Sequence, residues 1–202
     1  MKVVTLDMVR SNPNFSKLIE TANNNLEVMG YTEHGLRHVG YVSRTTANLL
    51  QELGYDARTV ELGAIAGWIH DIGNAINRKN HGLTGATLAF ELLMRMGMDV
   101  GEIAAIIGAI GNHEEETGLP VNPISAALII ADKSDAHRSR VRKKNFDAAD
   151  IRPRQHVDQK ELFGRRRRQT RHSTGDLYGQ HVGNHGIFAD LFYPHGAVRK
   201  GR

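Results

Sequence analysis

A chain of 202 residues, 40% hydrophobic and 24% charged, has room for one domain with a sizeable core, and its lack of cysteine excludes disulfides and thiolate metal sites. Its longest apolar stretches fall far short of the ~18 residues that a membrane-spanning helix needs, and the string MKVVTLDMVRSNPNF lacks the apolar core of a secretion signal, so the expected home is a reducing cytoplasm without membrane attachment. The net charge of +4 hides a split, because residues 1–150 hold 15 Lys and Arg against 18 Asp and Glu while residues 151–202 hold 11 against 4.

Apolar periodicity predicts helices through residues 1–150, and no strand-like alternation competes with it. The first helix is expected from Phe15 to Met29, after Asn12-Pro13 and up to Gly30. The second begins near Thr32 and carries Leu36, Val39, Val42, Leu49, Leu50 and Leu53 at helical spacing before Gly54. Asp56 is placed to cap a third, with Val60, Ala64, Ile65, Trp68 and Ile69 as core residues, and a polar loop from Asn74 to Asn80 follows. The segment Thr84 to Met96 repeats Leu88, Leu92 and Met96. Asp99 with Glu102 has the form of a capping box opening Val100 to Ile110, whose Ile103, Ile106, Ile107 and Ile110 make a core stripe. Asn122-Pro123 then opens a helix predicted to continue to about Lys144, with basic residues from Arg138 to Lys144 suiting the dipole at its C-terminal end.

Against this background His70-Asp71 stands out, closing the apolar run Ala64 to Ile69 just before Gly73. Imidazole nitrogen and carboxylate oxygen together suit divalent iron, manganese, cobalt, nickel or zinc. His38 precedes the pair, and His81, His113 and Asp132 follow it, most of them near predicted helix ends, as expected if separate helices converge on one polar site. Asp132 sits among Leu128, Ile129, Ile130 and Ala131, where an uncompensated carboxylate would be costly to bury. The plainer readings are a helix-terminal polar pair at His70-Asp71 and loop-edge histidines at His81 and His113. Trp68 and the Ile/Leu stripes read as core.

These motifs resemble the HD superfamily of metal-dependent phosphohydrolases, a helical core defined by a first His, a His-Asp pair and a later Asp. The matching residues are His38, His70, Asp71 and Asp132, and His38 fits the first position better than His34 because of its distance from the Leu53-Gly54 helix end. His81 in HGLTGA and His113 in GNHEEETG resemble the extra pair of two-metal branches, and with Ala131-Asp132 they look most like the dinucleoside tetraphosphate hydrolases. The resemblance covers roughly residues 31–145. It implies an all-α bundle with the metal site in its core, two divalent ions, Asp71 as the shared catalytic carboxylate, and hydrolysis of a phosphomonoester or phosphodiester, with a nucleotide as expected substrate, by metal-activated water. Lys133, Arg138 and Arg78 are candidates to meet substrate phosphate. His34, four residues before His38 and so on the same face of the predicted helix, and Glu114, next to His113, are further candidates for substrate contact. The chain departs from the family at Asn74, where many members have Lys, and at Gly118-Leu119-Pro120, where a GYP signature would be needed for diguanylate-type specificity.

Residues 1–150 are thus expected to form the HD-type domain and residues 151–202 a basic Gly/Arg/His-rich tail, poorly ordered or atypical. The run Arg165 to Arg168 offers phosphate-directed charge for nucleic acid. The apolar repeat stops abruptly near residue 150, as a disturbed reading frame would also cause. The competing function is a non-catalytic nucleotide- or nucleic-acid-binding regulatory module on the same scaffold, and the complete set of six ligand positions argues against it.

Overall fold

The computed structural model of the chain describes residues 3–114 and 118–136. Among the described residues there are seven α-helices and no strand: α1 Leu6–Ser11, α2 Pro13–Val28, α3 Leu36–Glu52, α4 Ala57–Ile69, α5 His81–Arg95, α6 Val100–Gly111 and α7 Pro123–Ser134, with a 3-10 turn at Ile72–Ala75. The all-α expectation holds. None of these helices is long and apolar enough to cross a membrane.

The middle of the fold is α4. Leu62, Gly63, Ala64, Ile65, Ala66, Gly67 and Ile69 are all buried, the mark of a helix with neighbours on every side, and α4 packs against α1, α3, α6 and α7. Val39, Val42 and Leu50 of α3, Ile103, Ile106 and Ile110 of α6 and Leu128 of α7 close around it, with Phe15 and Ile19 of α2 and Leu93 of α5 completing one core. Each such side chain, fully buried, stabilises the fold by about 1.5–3 kcal/mol before chain entropy is counted. The α3/α4 contact is close because Gly67 faces backbone: a Cβ there would lie 2.7 Å from Ser43 Cα. Ser43 Oγ donates to the Ala64 carbonyl at 2.7 Å across the same seam.

The caps explain where sequence reading succeeds and where it slips. Asp56 caps α4 and Asp99 caps α6 as expected, and Asn122 with Ser125 forms a full capping box at α7. Glu102 does not complete a box at Asp99, because it accepts from Arg58 Nε at 2.7 Å and ties α6 to α4. Helix α3 starts at Leu36 with Gly35 as N-cap, so His34 lies in the loop before it and not on the face of His38. Helix α5 starts at His81, three residues ahead of Thr84, and its Gly82 N–H is capped from elsewhere in the chain by Glu114 Oε1 at 2.6 Å. Helix α7 stops at Ser134, short of the predicted Lys144, because Asp135 leaves helical geometry (φ −79°, ψ 69°) with its carboxylate turned toward α3. Arg138, the rest of that basic cluster and residues 151–202 lie outside the described residues. The short α1, capped by Thr5, was not evident from periodicity.

Gly67→Ala is expected to force α3 from α4 and lower the unfolding free energy by about 1–3 kcal/mol, the usual cost of overpacking a tight contact. A denaturant midpoint unchanged from wild type would show that this seam has slack.

Candidate metal centre

Five helices and the 3-10 turn deliver six side chains to one place. His38 stands in the first turn of α3, His70 caps α4, Asp71 precedes the 3-10 turn, His81 opens α5, His113 follows α6, and Asp132 is in the last turn of α7. All are buried except Asp132, whose side chain keeps 18% of its exposure.

Asp71 is at the centre. Its Oδ2 lies 3.2 Å from His70 Nε2 and 3.5 Å from His38 Nε2, while its Oδ1 lies 3.2 Å from His81 Nε2 and 3.8 Å from His113 Nε2. Asp132 Oδ1 faces the first pair of rings, 3.3 Å from His38 Nε2 and 3.7 Å from His70 Nε2. The two rings of the second pair meet at 3.1 Å between their Nε2 atoms. Ligand-capable atoms of His38, His70 and Asp132, and those of His70, Asp71 and His113, lie within 4.8 Å of one another in each group.

The other ring nitrogens decide what these atoms can do. Nδ1 faces the carbonyl of Gly67 at 3.0 Å in His70, of Arg78 at 3.0 Å in His81 and of Ile110 at 2.6 Å in His113, and Asp135 Oδ2 at 2.7 Å in His38. Carbonyl and carboxylate oxygens only accept, so Nδ1 carries the hydrogen and the Nε2 lone pairs point inward. Neutral rings would therefore set lone pair against lone pair. The buried Nε2 atoms of His38 and His70 and Oδ2 of Asp71 make no hydrogen bond. Such a cluster requires positive charge between its members, as protons or as cations, and nitrogen and oxygen donors in this number fit divalent transition metals.

Burial opposes a charged His38, yet Asp132, Asp135 and Asp71 outweigh it and hold the pKa at about 10. His70, against the same penalty, is raised to about 9 by Asp71 and Asp132. Burial pushes both carboxylates upward and loses as well: His70, His113 and His38 hold Asp71 well below the usual range, and His38 and His70 do so for Asp132.

Three residues with no assigned role complete the arrangement. Asp135 and Arg37 back His38, with Arg37 Nη1 and Nη2 donating to the two Asp135 oxygens at 3.2 and 2.8 Å. Asn74, where many members of the resembling family have Lys, donates to Asp71 Oδ1 at 3.0 Å and so orients the central carboxylate. The one signal for Asp135 was its spacing, three residues after Asp132 at the end of an apolar helix. Of the candidate substrate contacts, Arg78 reaches the site, with Nη1 3.3 Å from His81 Nε2 and its guanidinium 5.3 Å over the Tyr31 ring. The His34 ring stands 5.1 Å from that of His38, with Nδ1 donating to the Thr32 carbonyl at 2.7 Å. Lys133 Nζ is 3.6 Å from Asp132 Oδ2 on the exposed side. Glu114 turns to its own chain, with Oε1 3.0 Å from His81 Nδ1 and capping Gly82.

No family model and no solved structure matches the chain. Among curated proteins it is 34% identical over 119 residues to ribonuclease Y of Aquifex aeolicus, a match covering 58% of this chain and 20% of that protein. It is 30% identical over 121 residues to ribonuclease Y of Cutibacterium acnes, with 58% and 20% covered, and 32% identical over 108 residues to that of Lawsonia intracellularis, with 52% and 18% covered. The chain spans about a fifth of the length of the curated relatives it matches.

With the pKa of His38 raised to about 10 and that of His70 to about 9 by the neighbouring carboxylates, both rings are imidazolium at neutral pH, and a metal bound at Nε2 would have to displace a proton from each. Loading is thus expected to release about two protons per chain near pH 7, and apparent affinity to rise with pH until about 9 to 10. Calorimetric titration with Mn²⁺ in buffers of different ionisation enthalpy counts the protons, and affinity independent of pH between about 6 and 9 would contradict the assignment.

Proposed function

We propose that this chain is a metal-dependent phosphohydrolase of the HD type, with residues 1–150 as its catalytic domain and an RNA phosphodiester as its substrate. The observation that carries the reading is Asp71, whose two oxygens each face a separate pair of histidine Nε2 atoms. His38, His70, Asp71 and Asp132 would hold one ion, and His81, His113 and Asp71 a second. When bound, divalent ions supply positive charge at phosphoryl oxygens and bring the pKa of a water to about 7. The choice of RNA over the nucleotide expected from the motifs rests on similarity to proteins named ribonuclease Y.

The chain's own residues do the positioning. Asn74 fixes the rotation of Asp71, so both oxygens stay aimed at their histidine pairs. Arg78, steadied on Tyr31 beside His81, offers a planar fork suited to two phosphoryl oxygens. Lys133 adds a cation at the exposed side of Asp132, where a polymeric substrate has access. A phosphate so held is oriented as well as neutralised.

The test is incubation with single-stranded RNA, dinucleoside polyphosphates and nucleotide monophosphates in the presence of Mn²⁺ or Co²⁺. RNA cleavage is expected, and Asp71→Ala should lower it on the order of 10³-fold, the several kcal/mol that metal assistance supplies, with helical circular dichroism retained. Turnover of the nucleotides alone would replace RNA as substrate, and binding without turnover would favour the regulatory module. The His81→Ala, His113→Ala double variant should fall from about two ions per chain to about one. A chain ended at residue 150 should keep cleavage, while any salt-dependent RNA binding lost with residues 151–202 belongs to their basic side chains.

A further inference from the structure

We propose that Asp135 is the positioning residue for His38, a role that rests on the metal-centre reading above: it fixes the ring so that Nε2 meets Asp71 and Asp132, and it strengthens that nitrogen as a ligand. Three of the four histidines are oriented by backbone, each Nδ1 donating to the carbonyl three residues earlier. His70 and His113 follow helix C-terminal ends, where carbonyls lack intrahelical partners and are free to accept. His38 lacks that option. It lies in the first turn of α3, the end that exposes N–H groups, and the Gly35 carbonyl three residues earlier accepts from Val39 N–H at 3.1 Å. An acceptor for its Nδ1 therefore comes from another element, and Asp135 Oδ2 fills the place at 2.7 Å.

The surroundings of Asp135 make it a holder of His38 and not a ligand itself. It is buried at 4% exposure, and both its oxygens are taken by Arg37, one of them shared with His38. Arg37 is held from behind by Glu33 Oε2 at 3.0 Å, and Glu33 Oε1 accepts the Gly35 N–H at 2.6 Å. The chain Glu33, Arg37, Asp135, His38 thus joins the start of α3 to the end of α7, the two helices that carry His38 and Asp132. A carboxylate behind a ligating imidazole sets its tautomer and raises its basicity, and losing such a partner costs about 10–100-fold in metal affinity. His81 is less dependent on its carboxylate, because its Nδ1 has the Arg78 carbonyl as well as Glu114.

The experiment is titration of the full chain with Mn²⁺, read by calorimetry, and with Co²⁺, read by its visible bands, for wild type, Asp135→Ala and Asp135→Asn. The expected result is a loss of about 10–100-fold in affinity for one of the two ions in Asp135→Ala, with the other ion held as in wild type and the Co²⁺ bands of the weakened site altered. Asp135→Asn, which keeps an acceptor oxygen but not the charge, should lie between the two. If Asp135→Ala does not fold, Asp135→Asn carries the test at nearly the same volume. Variants that unfold earlier but bind both ions as tightly as wild type would reduce Asp135 to a structural tie and overturn the proposal, as would equal weakening of both ions. A wild-type chain that binds neither Mn²⁺ nor Co²⁺ would remove the metal centre itself, a result distinct from wild-type binding that Asp135→Ala leaves untouched.

Discussion

A single buried carboxylate sets the terms for this fold. Asp71 is 4% exposed and is faced by ring nitrogens on both of its oxygens. An unpaired carboxylate in such a place would be costly, and the cost is met only if imidazoles arrive from several directions with positive charge among them. That requirement explains the crowding around it. The 3-10 turn after Asp71 presses against the start of α5 so tightly that a Cβ on Gly73 would collide with the His81 carbonyl and the Gly85 amide nitrogen, and it is this approach that brings His81 to Asp71. The glycine is a condition of the site, not a turn residue of convenience.

Ending a helix and aiming an imidazole at the cluster are the same event in much of this structure. At the ends of α4 and α6 the chain leaves the helix at a histidine whose Nδ1 returns to a carbonyl of the last turn, Gly67 for His70 and Ile110 for His113. The bond satisfies a carbonyl that the helix leaves unpaired, and it also fixes which nitrogen faces the cluster. Histidine near a helix terminus thus comes with a fixed ring orientation that spacing alone does not reveal. The rings of His70 and His113 are oriented because they close their helices.

What is legible in the sequence is what is determined locally. Helices with local caps were readable: Asp56, Asp99 and Asn122 each bond to nearby N–H groups, so their information lies within a few residues. The start of α5 and the end of α7 were misjudged because their determinants are distant, Glu114 for one and the His38–Asp135 bond for the other. The six polar residues converge as the motifs implied, since a His-Asp pair inside an apolar run leaves few alternatives for burial. Asp135 and Asn74 went unassigned because an Asp or Asn beside a helix end ordinarily reads as a cap, and only geometry shows that their partners are His38 and Asp71.

Charge balance bears on what the site would accept. With its protons in place the centre is close to neutral, because His38 and His70, raised to about 10 and about 9, offset Asp71 and Asp132, both held well below the usual range. On the two-ion reading each of those protons gives way to a divalent cation, and the same six side chains then surround an excess of positive charge. Arg78 stands at the His81 side and Lys133 at the Asp132 side, and of the two carboxylates that touch the cluster from outside the candidate ligand set, Asp135 is paired with Arg37 while Glu114 accepts the Gly82 N–H. A loaded centre of this sign attracts a polyanion and disfavours a neutral ester, and Coulomb attraction near a partly buried site is screened far less than at the surface. On that reading, the protons that balance two buried carboxylates in the metal-free protein occupy the places of cations that would make the same core a receptor for phosphate.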